Sequence, residues 1–187
     1  TVTKALTAFR GGSPPQLAVI GDIEVYSLKD AGAIIPVSDL ASDADGKKWI
    51  NGFYPAFIRH IDGKVWSIPF QRSTVVLYWN KDAFKRAGLN PEKAPQTWQE
   101  VEDFGRKLVV KQGDTVSQWG IELPSTPIGY WVLQAIAATN GATLDNNKGS
   151  AVTLNTPHTV EAINWMHELA STYAVSPPAE IVRTTVL

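Results

Sequence analysis

The sequence predicts an α/β fold with a largely parallel sheet. Three observations lead there. Short β-branched and aromatic runs alternate with helical periodicities along the whole chain. Gly and Pro signals separate them. The longest run, Val-Val-Leu-Tyr-Trp at 75–79, is apolar throughout, as in a strand buried on both faces.

Taken in order, Val2, Leu6 and Phe9 lie at helical spacing over 1–10 and Gly11-Gly12 closes that helix. Residues 17–20 read as a strand ending in the turn signal Gly21-Asp22, where open α/β sheets present ligand groups. A helix is expected over 24–31, closed by Gly32, and polar loop and turns over 38–48. Trp49, Phe53, Tyr54 and Phe57 share helical spacing, which predicts a packing face. A strand over 65–68 follows. Between it and the run 75–79 lies Pro-Phe-Gln-Arg-Ser-Thr, a polar tip between two apolar segments. Such a tip is either an ordinary solvated connection or a lip that offers hydrogen bonds to a ligand. Spacing alone leaves both readings open.

The second half opens with a helix over 81–87 ended by Gly88. Thr97-Trp98-Gln99-Glu100 is a capping box, and Val101, Phe104 and Leu108 repeat along one face of the helix it starts. Further expectations are a strand over 118–123, a loop over 124–129, a helix over 130–139 stopped by Asn140-Gly141, and a strand over 151–154. The last clear helix begins at Thr156-Pro157, with Val160, Ile163, Met166 (or His167) and Ala170 on its apolar face. The closing residues EIVRTTVL carry no recognisable element.

Composition narrows the function. A length of 187 residues suits one domain or two small ones, and 44% hydrophobic with 19% charged residues is globular composition. A net charge of −1 supplies no field for nucleic acid or anionic lipid. No run approaches the roughly 20 apolar residues that span a bilayer. The opening residues lack the apolar centre of a signal peptide, as in a mature chain or a fragment. Without cysteine there are no disulfides, thiolate metal sites or cysteine nucleophiles. Dinucleotide, P-loop, zinc-protease and nucleophile-elbow motifs are absent, so no cofactor, metal or catalytic residue is expected. His158 and His167 lie nine apart, on different faces of one helix. Asp43 and Asp45 before Gly46 resemble part of a calcium loop that lacks its closing Glu. Asp22 follows a strand directly, although helix capping is the commoner fate of such an Asp. Tyr130-Trp131 offers a stacking surface, with at least one ring expected in the core.

Several stretches resemble the extracytoplasmic solute-binding proteins of bacterial ABC importers, in the branch for glycerol 3-phosphate, its diesters or sugars. AFRGGSPPQLAVIGD, KDAGAIIPVSDL and WGIELPSTPIGYWVLQAIAATNGA each match in part. The most specific run is GKVWSIPFQRSTVVLYWNKDAFKRAGLNPEKAPQTWQE. The resemblance implies a two-lobe periplasmic-binding-protein-like (type II) fold, incomplete in this chain. An internal fragment is expected, with part of lobe 1 at 1–79, part of lobe 2 at 80–187, and a hinge at Trp79-Asn80. It implies a ligand bound between the lobes, a permease partner in the inner membrane, and a periplasmic or lipid-anchored extracytoplasmic location. The ligand contacts would be Asp22, Arg72, Ser73, Thr74 and Tyr130. Asp22 neighbours Gly21, which stands at the family's acidic position. Ser73 matches the family's Ser-Ser tip while Arg72 departs from it, either as an anion ligand or as half of a surface ion pair. Tyr130 keeps a ring where the family has Trp. Exposed apolar surface on such a fragment would favour oligomers or domain swapping. The competing readings are a carbohydrate- or phosphodiester-processing hydrolase, which needs two acids facing one bond, and an interaction domain without a small ligand.

Overall fold

Helix caps and left-handed glycines set most element boundaries. The computed structural model describes residues 2–126, 129–146 and 150–179. They fall in two compact units, Thr1–Thr74 and Val75–Leu187.

In the first unit α1 (Val2–Arg10) is followed by an irregular segment and a 3-10 turn at Asp22–Glu24. Then come α2 (Val25–Asp30), α3 (Val37–Leu40) and α4 (Ala44–Asn51). Gly32 closes α2 at φ +63°, a conformation that glycine adopts without Cβ strain. A 3-10 turn at Pro55–Phe57 leads into the antiparallel hairpin β1 (Arg59–Ile61) and β2 (Lys64–Ser67). Asp62 and Gly63 at its tip both have positive φ, 52° and 76°, as a two-residue hairpin turn requires. Among the described residues, Val25, Leu28, Pro36, Ile50 and Val65 are the buried apolar side chains of this unit.

In the second unit Asn80 caps α5 (Lys81–Arg86) by accepting from the N–H groups of Asp82 and Ala83. Thr97 caps α6 (Trp98–Leu108) by accepting from Glu100, 3.1 Å, and Glu100 reaches back to the N–H of Gln96, 2.7 Å. A second antiparallel hairpin, β3 (Val110–Gln112) and β4 (Thr115–Gln118), precedes α7 (Gly129–Thr139) and α8 (Pro157–Ser171). One apolar cluster joins Phe84 to Leu108, with Phe104 edge-on to Phe84. Another gathers Trp165, Leu169 and Val175, and Trp98 stacks on Trp165 at 4.8 Å. The indole N–H of Trp165 donates to buried Glu102, 2.8 Å, so that carboxylate is not left without a partner inside the core. Gly120 is required by close packing, since a Cβ there would overlap the Gly105 carbonyl, and Gly105 in turn lies close against Val175.

Several expectations need correction. No parallel strand pair forms among the described residues; both sheets are two-stranded and antiparallel. The runs 17–20 and 75–79 form no ladder, and Leu17 is 92% and Tyr78 84% exposed. A strand is a property of a hydrogen-bonded pair, and an apolar run without a partner stays irregular. The strand expected over 118–123 ends at Gln118, and the backbone N–H groups of Gly120 and Ile121 donate instead to the carbonyl of Val175. At 151–154 only an isolated bridge, Asp145 to Val152, is present. The polar stretch 38–48 holds most of α3 and of α4, and Asp43 starts α4 by accepting from the N–H of Gly46, 2.8 Å. The calcium-like triplet is therefore a helix cap. α4 ends before Phe53, and Trp49, Tyr54 and Phe57 are exposed. Helix α8 buries Thr159, Ala162, Trp165 and Leu169 and exposes Val160 and Ile163, one step around from the predicted face. The closing residues 180–187 and part of the 124–129 loop lie outside the described residues.

Thr97→Ala is expected to cost the protein about 1 kcal/mol through the lost cap. Gly120→Ala is expected to cost more, about 1–3 kcal/mol, from overpacking. Urea unfolding followed by tryptophan fluorescence measures both. An equal or smaller loss for Gly120→Ala would refute the close approach to Gly105.

Candidate functional site

Asp22 opens a 3-10 turn rather than capping a helix, and this leaves its carboxylate free to reach across the unit. The turn is held from behind, since the Gly21 N–H donates to Glu24, 2.8 Å. Arg59 comes from the first residue of β1, where the pairing shifts register between Arg59 and His60. A bulge of this kind re-aims the side chain beside it. Arg59 grips Asp22 with its planar fork: Nε donates to Oδ1 at 3.1 Å and Nη2 donates to Oδ2. Its guanidinium also lies over the Tyr26 ring, 5.8 Å from the centroid.

Arg72 reaches the same carboxylate from the polar tip. Its Nη1 stands 3.6 Å from Asp22 Oδ2, and its Nη2 donates to the Phe57 carbonyl, 3.0 Å. The Phe57 ring lies under it at 5.5 Å. Partial burial pushes the Asp22 carboxyl up. The hydrogen bond and charge of Arg59, joined by Arg72, outweigh that and hold it below the usual carboxylate range. The same hydrogen bond raises Arg59, against the opposing pull of its own burial.

The structure thus brings Asp22 and Arg72 together. Ser73 and Thr74 are exposed beside Arg72 on the tip. Tyr130 belongs to the second unit, in the first turn of α7. It meets Trp131 edge-on at 5.6 Å, and both rings are exposed, so the expectation that one would enter the core is corrected. Arg59 was missed by sequence reasoning. It lies 37 residues from Asp22 and sits in no motif, so only the folded turn and hairpin reveal it. Among the described residues, no three His, Cys, Asp or Glu side chains gather as a metal site, and no helix is long and apolar enough to cross a membrane.

The model of the bacterial extracellular solute-binding protein family matches residues 1–179, and the chain belongs to that family. Its members are binding proteins of the periplasm or cell exterior and not enzymes. More particularly, the chain is similar to the sn-glycerol-3-phosphate-binding periplasmic protein UgpB of Salmonella typhimurium (strain LT2), at 37% identity over 111 residues, covering 57% of this chain and 25% of that protein. The Escherichia coli (strain K12) protein of that name is 36% identical over the same coverage. The chain thus spans about a quarter of the length of the curated relatives it matches. Among solved structures, UgpB from Mycobacterium tuberculosis in complex with glycerophosphocholine superposes with a TM-score of 0.81 at 20% identity, over 99% of this chain and 47% of that one. CpMnBP1 with mannobiose bound gives 0.67 at 30% identity, over 91% and 42%. The fold is periplasmic-binding-protein-like and corresponds to about half of those chains.

Because its pKa is depressed in the folded state, Asp22 contributes stability that is complete above the ordinary aspartate range. That contribution is lost as the pH falls below about 4 through the lowered value. Asp22→Asn should therefore lower stability at neutral pH and flatten the acid limb of the stability curve. Urea midpoints measured between neutral and acid pH check this, and parallel curves for the two proteins would refute the ion pair.

Proposed function

We propose that the protein carrying this chain is the substrate-binding component of an ABC importer, capturing a glycerol phosphate or a sugar and delivering it to a permease in the inner membrane. The observation that carries the reading is the exposed polar tip Arg72-Ser73-Thr74 beside the Arg59–Asp22 pair, in a chain of this family. A solute that sheds water on capture needs a partner for each polar oxygen, and one left unmatched costs about 1–3 kcal/mol. Ser73 and Thr74 supply hydroxyls that both donate and accept. Tyr130, with its ring exposed, supplies an apolar face with a polar end for a carbon skeleton. Arg72 adds charge-assisted donors on the same tip, and Asp22 holds it in place. The choice of glycerol phosphate or sugar follows the relatives, whose names specify sn-glycerol 3-phosphate in one case and mannobiose in the other.

Calorimetry of the protein carrying this chain with glycerol 3-phosphate, a glycerophosphodiester and a disaccharide tests the reading. Ser73→Ala and Tyr130→Ala should each weaken binding of the preferred solute roughly tenfold without lowering the melting temperature. Unchanged affinity in both variants refutes the site, and catalytic turnover of any of these solutes refutes the binding role.

A further inference from the structure

We infer that the two guanidiniums on one carboxylate make this lip an acceptor of oxyanions: Arg72, half-engaged by Asp22, would bind a phosphate or carboxylate group of the solute. The inference rests on the solute-binding reading above and sharpens it to a substrate class.

Charge supports it first. Asp22 carries one negative charge and is already gripped through both oxygens by Arg59. Arg72 is a second cation on the same carboxylate, at 3.6 Å, so the three groups carry a net charge of +1. Among the described residues no other carboxylate comes within 4.0 Å of either guanidinium. Hydrogen-bond supply points the same way. Arg72 has five N–H donors. One nitrogen donates to the Phe57 carbonyl, and the Asp22 contact is too long for a hydrogen bond. The donors left over sit on an arginine steered by the Phe57 ring and carbonyl, with its side chain 36% exposed. A weakly hydrated planar fork of this kind matches two oxygens of a phosphate or carboxylate. A neutral polyol fits less well. Its hydroxyl protons seek a carboxylate, and the one at hand is held by Arg59. The low pKa of Asp22 keeps that lock closed at neutral pH.

The test is calorimetry on the protein carrying this chain, as wild type, Arg72→Gln and Arg72→Lys, with sn-glycerol 3-phosphate, glycerate and mannobiose. Phosphate and carboxylate are separated by the first two solutes, and mannobiose is the neutral comparison. Arg72→Gln should lose about tenfold to a hundredfold in affinity for the tighter-binding anion, and much less for mannobiose. Arg72→Lys should fall between, because it keeps the charge and loses the fork. Wild-type binding of the anion should also weaken as salt rises. Melting temperatures establish that the variants are folded, and if Arg72→Gln is not, the Lys variant carries the comparison. No loss, or an equal loss for the anion and mannobiose, overturns the inference. Binding of mannobiose alone overturns the oxyanion assignment and leaves solute binding standing. No heat from any solute overturns both.

Discussion

The Asp22–Arg59 ion pair is the contact on which the arrangement of the first unit's polar tip depends. It fastens a 3-10 turn to the first residue of a hairpin 37 positions later, two elements that no backbone ladder connects. The fork geometry makes the contact directional as well as attractive, so it fixes where the carboxylate points. Because Arg72 shares that carboxylate, the conformation of the tip is referred to the same pair. Removing Asp22 would leave two part-buried guanidiniums without their shared carboxylate, whereas removing Arg59 would leave Asp22 with Arg72 alone.

The second unit uses a different principle. Its stability comes from aromatic packing around α6 and α8, where Trp98 and Trp165 stack and Glu102 accepts the buried indole proton. Two glycines let the backbone at Gly120 close onto α6 and let Val175 press against Gly105. Small residues are buried in this unit as well, since α8 places Thr159 and Ala162 on its buried face. Volume matching at close range decides what fits there, and side-chain hydrophobicity decides less.

How much was legible in the sequence depended on how local each signal was. The Thr97 cap, the Pro at the start of α8 and the glycine stops at Gly32, Gly88 and Gly141 are decided within a few residues, and all were readable. The family was readable from one run, 63–100, and that run holds the tip. The face of α8 was misread because its buried stripe includes Thr159 and Ala162, which an apolar count passes over in favour of Val160 and Ile163. The strands at 17–20 and 75–79 were misread because pairing is a relation between distant segments, and composition reports on one segment alone. Arg59 was invisible for the same reason: nothing near it in the chain announces a partner at Asp22.

The irregular run at 74–79 has one more consequence. Thr-Val-Val-Leu-Tyr-Trp contains no charge, proline or glycine, and five of its six residues are exposed. That is the composition of segments that stack into intermolecular cross-β ladders. Sequences commonly guard such segments with flanking charges, and here the guards are Arg72 on one side and Lys81 on the other. Arg72 thus stands in the flanking position that guards such a run against self-association. Replacing Arg72 by a neutral residue would therefore carry a solubility cost independent of any ligand.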